Sequence, residues 1–549
     1  MSPITIFSAR KIITMNHRRP SATHVAVRDG WILGTGSLED LAVWGEYELD
    51  TRFADKVIMP GFIEGHCHSW EGNAWDDTYL GFYDRMSPKR VLHKGVKSID
   101  EVVARLQEAE TQLDDPDTPV KGWCLDPIFF GGRRVVASDL DKVSTTRPVL
   151  IMHQSGHISN VNTEAMRRAN ITRDTDVMGL VKDANGEPTG ELMGPTLRDI
   201  IYHAAGQNRF LDMGTGDALW SFAHSAMIAG VTTATDLANE LPAETVENQI
   251  ENTSREDFPL RIVPAFVGMS MPTAEAVDWA LKIKARSNER LRYGLIKLVA
   301  DGSIQGFTAR MKWPGYFNGA DNGLWYIDPD DMPNMLEAFH TAGLQVHIHT
   351  NGDQATENTI NAIEKVLKNN PDPDARFTLQ HCQMAHDAHF RRMAKLGICA
   401  NLFSNHIYYW GEQHIELTMG PERAERMDAC NTAGRLGVNY AIHSDAPVTH
   451  LAPLFTAWCA VNRQTSSGRV LGPSECITVD QALYAITLGA AYTLKLDTEL
   501  GSIETGKRAD FTILEDDPQS VDPIALKDIG VWGTVLSGRV FACDDIPRG

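Results

Sequence analysis

Cysteine is scarce in this chain and no Cys-x-x-Cys pair occurs: eight thiols lie scattered through 549 residues. A disulfide framework and a cysteine-held zinc knuckle are therefore not expected, and the thiols read as small apolar filler. Long hydrophobic runs are missing too. No uncharged apolar stretch approaches the roughly 20 residues a membrane span needs, and the N-terminal MSPITIFSARKIITMNHRR lacks a signal-type apolar core. The expectation is a soluble, cytoplasmic protein. Basic charge is in deficit, with 51 Lys and Arg against 72 Asp and Glu and a net charge of -21. The acidic residues form no long block, so neither an acidic tail nor a nucleic-acid partner is expected.

What is present is a long chain, 43% hydrophobic, with β-type patterning at both ends. ITIF, KIITM and HVAVRDGWIL open it, with Asp29-Gly30 as a hairpin signal, and DFTILEDD and GVWGTVLSGRVFAC close it, interrupted at Gly538. Two half-sets of strands at opposite ends can complete one small β-sandwich, assigned to residues 1–56 and 500–549. Between them run eight short apolar, β-branched segments, most followed by a helical pattern. They are KVIMP ending at Pro60, GVTTATD (230–236), LRIVPAF (260–266), GLIKLVADG (294–302), LQVHIHT (344–350), RFTLQHC (376–382), GICANLFS (397–404) and GVNYAIHSD (437–445). Strand alternating with helix eight times predicts an α/β fold, a (β/α)8 TIM-like barrel, over 57–68 and 209–499. Residues 69–208, with the helical SIDEVVARLQEAE and the turn signal DANGEP, are too long for a bare loop and read as a subdomain inserted over the barrel mouth. Thr478 and Gln481 stand in capping-box spacing ahead of a flanking helix.

Barrel active sites sit at the C-terminal strand ends, and reactive residues gather there. His66 and His68 are two apart on an extended segment, where alternate side chains point the same way and can share one metal. His349 ends the fifth run, His381 the sixth and Asp445 the eighth, all common ligands of divalent transition metals. Lys297 lies in the fourth. A buried lysine favours the neutral amine, which can take up carbon dioxide as a carbamate able to bridge two metals. Pairing with Asp301, or reaching to solvent, is nearly as good a reading of Lys297 by chemistry alone. His347 and His443 read as satisfied core residues.

PGFIEGHCH, IKLVADGS, HTNGD, LQHCQ, HSDAPV and GSIETGKRADFTIL, in this order, resemble amidohydrolase family 3, the group that includes N-substituted formamide deformylase. The resemblance covers nearly the whole chain. It implies two divalent metals per chain, most often zinc: one on His66 and His68 with Asp445, the other on His349 and His381, bridged by carboxylated Lys297. The chain departs from relatives at Phe307 and Gln354, where arginine is frequent, which disfavours an anionic substrate. RPVLIMHQSGHISNVNTEAM resembles a stretch that folds over the site, making His157, with His153 behind it, a substrate contact. His406, Tyr408 and Trp410 are further candidates for the pocket wall, with ordinary packing an even alternative.

The expected reaction is hydrolysis of a non-peptide carbon-nitrogen bond by metal-activated hydroxide, in a neutral or aromatic amide, formamide or cyclic amide. Asp445 would serve as general base and then acid, and His157 would help polarise the carbonyl. His157, Phe307 and His406 are the expected substrate contacts. The alternatives are a mononuclear heterocycle deaminase, a lactone or carbamate ester hydrolase, and a non-catalytic metal-stabilised regulatory protein. The partner is a small molecule, without nucleic acid or membrane, and a homodimer is left open.

Overall fold

A seven-stranded sheet draws the two ends of the chain together. In a computed structural model, which describes residues 3–207 and 215–546, Ile4–Ile13, Ser21–Arg28, Trp31–Gly36 and Tyr47–Pro60 pair with Phe511–Leu514, Val531–Leu536 and Arg539–Ala542. Asp29 and Gly30 adopt φ of 52° and 79°, the backbone a tight two-residue hairpin demands. The sheet is continuous and folds over one shared core in which Phe7, Ile32 and Phe53 meet Phe511 and Val535.

KVIMP belongs to this sheet and not to the barrel, which corrects the expected first strand. Val57–Pro60 pair antiparallel with Phe511–Leu514, and the barrel begins one turn later with Phe62–Glu64. A fully buried apolar run carries no periodicity that would tell one sheet from the other. Gly61 makes the abrupt transfer: a Cβ there would lie 2.0 Å from Thr232 Oγ1.

The remaining seven runs lie where expected, in the strands Val231–Asn239, Arg261–Val267, Leu295–Val299, Gln345–Thr350, Thr378–His381, Cys399–Leu402 and Tyr440–Ile442. With Phe62–Glu64 they form one curled parallel sheet whose neighbours follow chain order. First and last strands meet beyond their C-terminal ends, where Cys67 bridges Ala446 and His68 N donates to Ala446 O at 2.7 Å. Alternation sorts the side chains: Ile296, Leu298, Val346, Ile348, Tyr440 and Ile442 pack in the helix-facing core, which turns Lys297, His347, His349 and Ala441 to the inside. Ile63, Val263, Leu295 and Ala441 join Ala490, Ala491 and Leu494 in a separate apolar cluster on that inner side.

Thr478 and Gln481 form the expected capping box, but the helix stops at Ala485 and a second helix runs Leu488–Thr493. Thr487 Oγ1 donates to Leu483 O at 2.6 Å, which competes with the helix ladder at that point.

Within 69–207 the expected helix runs Ile99–Glu110, capped by Ser98, and the DANGEP turn joins Leu180–Lys182 to Pro188–Met193. These strands belong to a six-stranded sheet, and the boundary expected at 208–209 lies outside the described residues. Buried Arg85 ties this segment to the loop after the eighth barrel strand, donating to Pro447 O at 2.6 Å and Thr449 O at 3.1 Å while pairing with Glu71 at 2.9 Å. No helix among the described residues is long and apolar enough to cross a membrane.

Candidate metal centre

His66 and His68 flank Cys67, whose Sγ donates to Thr235 O at 3.0 Å, away from the histidines, as strand alternation requires. Asp445 reaches the same point from the eighth strand. Its φ of 52° and the bond from its own N–H to His66 O, at 3.1 Å, aim the carboxylate across the mouth. Asp445 Oδ1 lies 3.0 Å from His68 Nε2 and 3.3 Å from His66 Nε2, and Oδ2 lies 3.9 Å from His381 Nδ1. Burial pushes the Asp445 carboxyl up, but the His68 hydrogen bond and the positive charge around it prevail and leave it at about 2.

A buried relay determines which nitrogen of His66 faces that carboxylate. Thr493 O, which can only accept, lies 3.0 Å from His347 Nε2, so His347 carries its proton there and offers Nδ1 as acceptor. Gln380 Nε2 donates to that Nδ1 at 2.8 Å, which turns Gln380 Oε1 toward Asn401 Nδ2 at 3.0 Å and His66 Nδ1 at 2.7 Å. His66 Nδ1 is therefore the donor and Nε2 a bare lone pair. Burial holds this imidazole well below its ordinary pKa, so the pair at 3.3 Å sets a lone pair against a carboxylate oxygen. That contact is repulsive unless a cation lies between them.

Lys297 is buried, and its Nζ finds no hydrogen-bond partner among the described residues. Asp301, the alternative partner, instead accepts backbone N–H groups from Asn351, Gly352 and Arg310 at 2.9–3.0 Å, tying together the loops after the fourth and fifth strands. Burial lowers Lys297 to about 7, and its charge is felt at His66, His381 and Asp445.

His349 stands beside His381, with ring centroids 4.5 Å apart, but its Nε2 is turned to Gly302 O at 3.1 Å. Among the described residues, the His, Cys, Asp and Glu ligand atoms that converge in threes, within 4.8 Å of one another, are those of His66, His68 and Asp445, and those of His66, His381 and His443. His443 is thus in the cluster, whereas its sequence reading was a core residue. His347 is the satisfied core histidine it was taken for.

The flanking candidates lie farther out. His157 is half-buried with its ring 5.1 Å from that of His349, and burial lowers it to about 4. His153 is bound to Asn160. His406 packs on Phe403 with centroids 4.2 Å apart and its Nδ1 faces Asp428 at 3.3 Å. Phe307, at φ 58°, lines a cavity of about 260 Å³ with Asp126, His153, Gln305 and Leu417. Trp410 closes this neighbourhood by donating to Asp126 Oδ2 at 2.9 Å.

The profile described as the amidohydrolase family matches residues 54–542. The chain belongs to that family. Among curated relatives, YtcJ of Bacillus subtilis strain 168 is 28% identical, covering 96% of this chain and 97% of its own. N-substituted formamide deformylase of Arthrobacter pascens is 24% identical over 98% of each chain. The crystal structure of an uncharacterised metal-dependent hydrolase from Pyrococcus horikoshii OT3 is similar in fold, with a TM-score of 0.72 at 18% identity, covering 95% of this chain and 99% of that one. Family membership supports a hydrolase, and His and Asp groups that can hold a divalent cation accompany it.

A divalent metal fits these residues on their own chemistry. Lys297 Nζ, His381 Nδ1 and both ring nitrogens of His443 are buried without hydrogen-bond partners among the described residues; His381 and His443 share one candidate metal cluster, and the charge of Lys297 is felt at both. Buried polar atoms left unmet cost about 1–3 kcal/mol each, and a cation bound here would relieve those of His381 and His443 together. Sequence reasoning passed over Gln380 and Glu64. Glu64 accepts Ser444 N at 3.1 Å and Ser444 Oγ at 2.9 Å, fastening the first strand to the eighth, and burial raises it to about 8.

Proposed function

We propose that this chain is a metal-dependent hydrolase of a non-peptide carbon-nitrogen bond, in a neutral or aromatic amide, formamide or cyclic amide. The observation that carries the reading is the bare Nε2 of His66 held 3.3 Å from the Asp445 carboxylate, an arrangement suited to a cation. His66, His68 and Asp445 would hold one metal, and His349 and His381 a second, with carboxylated Lys297 as bridge and zinc as the leading choice. The activity for which the formamide deformylase of Arthrobacter pascens is named supports the bond type. Bound there, such a metal supplies water acidified toward neutral pH and a positive charge for the carbonyl oxygen.

The chain's own groups do the rest. Asp445, ionised and facing the mouth, takes the proton of the attacking water and returns it to the departing nitrogen. His157, kept neutral by burial, donates a ring N–H to the substrate carbonyl. Phe307 and His406 shape the pocket, and residues 69–208 cover the mouth as an inserted subdomain. The protein is read as cytoplasmic, acting on a small molecule.

The deaminase alternative needs a proton-handling carboxylate after the fifth strand. Asp353 there starts the helix Asp353–Asn369 and accepts Lys312 N–H at 2.8 Å, which makes it a structural group. The test is elemental analysis together with turnover of a panel of N-substituted formamides, anilides and cyclic amides. About two metal equivalents in the wild type, fewer in Lys297→Ala, and a 10²–10⁴-fold lower kcat in metal-saturated Asp445→Asn are expected. A metal-loaded protein that deaminates heterocycles and leaves every amide intact would overturn the bond assignment.

A further inference from the structure

We propose that His443 is an additional metal ligand of this centre, an imidazole that shares one cation with His381. The inference rests on the metal-dependent reading above and adds a residue to it. His443 follows the eighth strand, Tyr440–Ile442, and stands two positions after inward-facing Ala441 and two before Asp445. Strand alternation therefore sends it to the same interior as Lys297 and the other histidines.

Its ring is fully buried and clamped on both faces, stacking on His66 at 4.6 Å and 14° and on Phe403 at 4.8 Å and 19°. Both ring nitrogens, at the edges of this sandwich, lack a hydrogen-bond partner among the described residues. A neutral imidazole has one donor and one acceptor to satisfy. His347, the neighbouring buried histidine, has both nitrogens bonded, to Thr493 O and Gln380, whereas those of His443 are left facing the ligand atoms of His66 and His381.

The orientation of the rings indicates which neighbour shares the cation. The stacked His66 and His443 rings lie in nearly parallel planes, 14° apart with centroids at 4.6 Å, and His66 is already turned to Asp445. His381 is inclined 59° to His443 with centroids 5.0 Å apart, and its own Nδ1 is without a hydrogen bond. The ligand atoms of His66, His381 and His443 lie within 4.8 Å of one another, close enough for small ring rotations to bring two of them to a metal at bonds of about 2.0–2.1 Å. His349, the expected companion of His381, donates its Nε2–H to Gly302 O at 3.1 Å, which leaves Nδ1 as its lone pair, so His443 joins His381 as an addition to His349 and not as its replacement.

The decisive experiment is a crystal structure of the wild-type protein loaded with zinc, with anomalous scattering locating the metal. A peak within about 2.3 Å of a His443 ring nitrogen is expected; a metal bound elsewhere in the cluster, with water or more than about 3 Å separating it from His443, overturns the proposal. In parallel, His443→Asn and His443→Gln are titrated with cobalt against a chelator, after melting curves of the metal-free proteins establish that they fold. At least about a 10-fold loss of affinity for one equivalent, with a changed cobalt visible spectrum, is expected; unchanged affinity and spectrum overturn it. Failure of the wild type to take up any metal would instead remove the metal-dependent reading, so the two failures are distinguishable.

Discussion

Thr493 O, His347, Gln380 and His66 form a line of hydrogen bonds at 2.7–3.0 Å that ends on His66 Nδ1 and so leaves the opposite nitrogen, Nε2, to face Asp445. Outer partners of this kind usually govern metal affinity by 10–100-fold. Gln380→Ala is therefore expected to weaken metal binding by about that factor in a chelator competition, while the metal-free protein still melts cooperatively; unchanged affinity would show the relay to be irrelevant. The convergence of His66, His68 and Asp445 was legible in the sequence because residue type and position at a strand end coincide. Gln380 was not, since an amide does not advertise itself as the support of a ligand. His443 carried a usable signal that went unread: it stands two residues before Asp445, the same spacing that singled out His66 and His68.

Single elements show where patterning stops being informative. Seven barrel strands were readable from β-branched runs between helical stretches, whereas Val57–Pro60 and Phe62–Glu64 are both wholly buried and differ only in which sheet receives them. Partner choice is tertiary information, and a continuous apolar run does not encode it. The short helix Pro127–Phe130 carries a testable consequence of its own. Asp126 caps it by accepting Ile128 N–H at 3.2 Å, yet burial lifts this carboxyl to about 6 from an ordinary 3.8. Folding thus favours the protonated form, so its stabilising contribution is full below pH 3.8 and is lost as pH rises through 6. Asp126→Asn, which cannot ionise, should gain at most roughly 3 kcal/mol over wild type at pH 7 and nothing at pH 4. Melting curves across pH 4–7 that stay parallel for the two proteins would contradict this.

At the scale of the whole molecule, the candidate metal centre is held by segments far apart in the chain. Arg261 in the third barrel strand is buried against Asp510 beside the terminal sheet, and Arg85 binds the residues 69–207 to the loop that follows Asp445. Long-range pairings of this kind have no local sequence signature, which is why the length of the segment after His68 signals structure of its own but not where that structure is attached. Arg85 is 7% exposed and Glu71 4%, and the guanidinium also lies over the Trp123 ring at 5.1 Å. Removing one member of such a pair leaves the other charge buried and uncompensated, at about 3–5 kcal/mol, whereas replacing both by neutral groups of similar shape costs far less. Arg85→Met should therefore lower stability to urea by roughly that amount, and adding Glu71→Gln to it should restore most of the loss. Metal affinity should follow the same order, because the loop held by Arg85 begins at Asp445. Additive losses in the double variant would mean that the carbonyls of Pro447 and Thr449, and not Glu71, are what Arg85 is buried to satisfy.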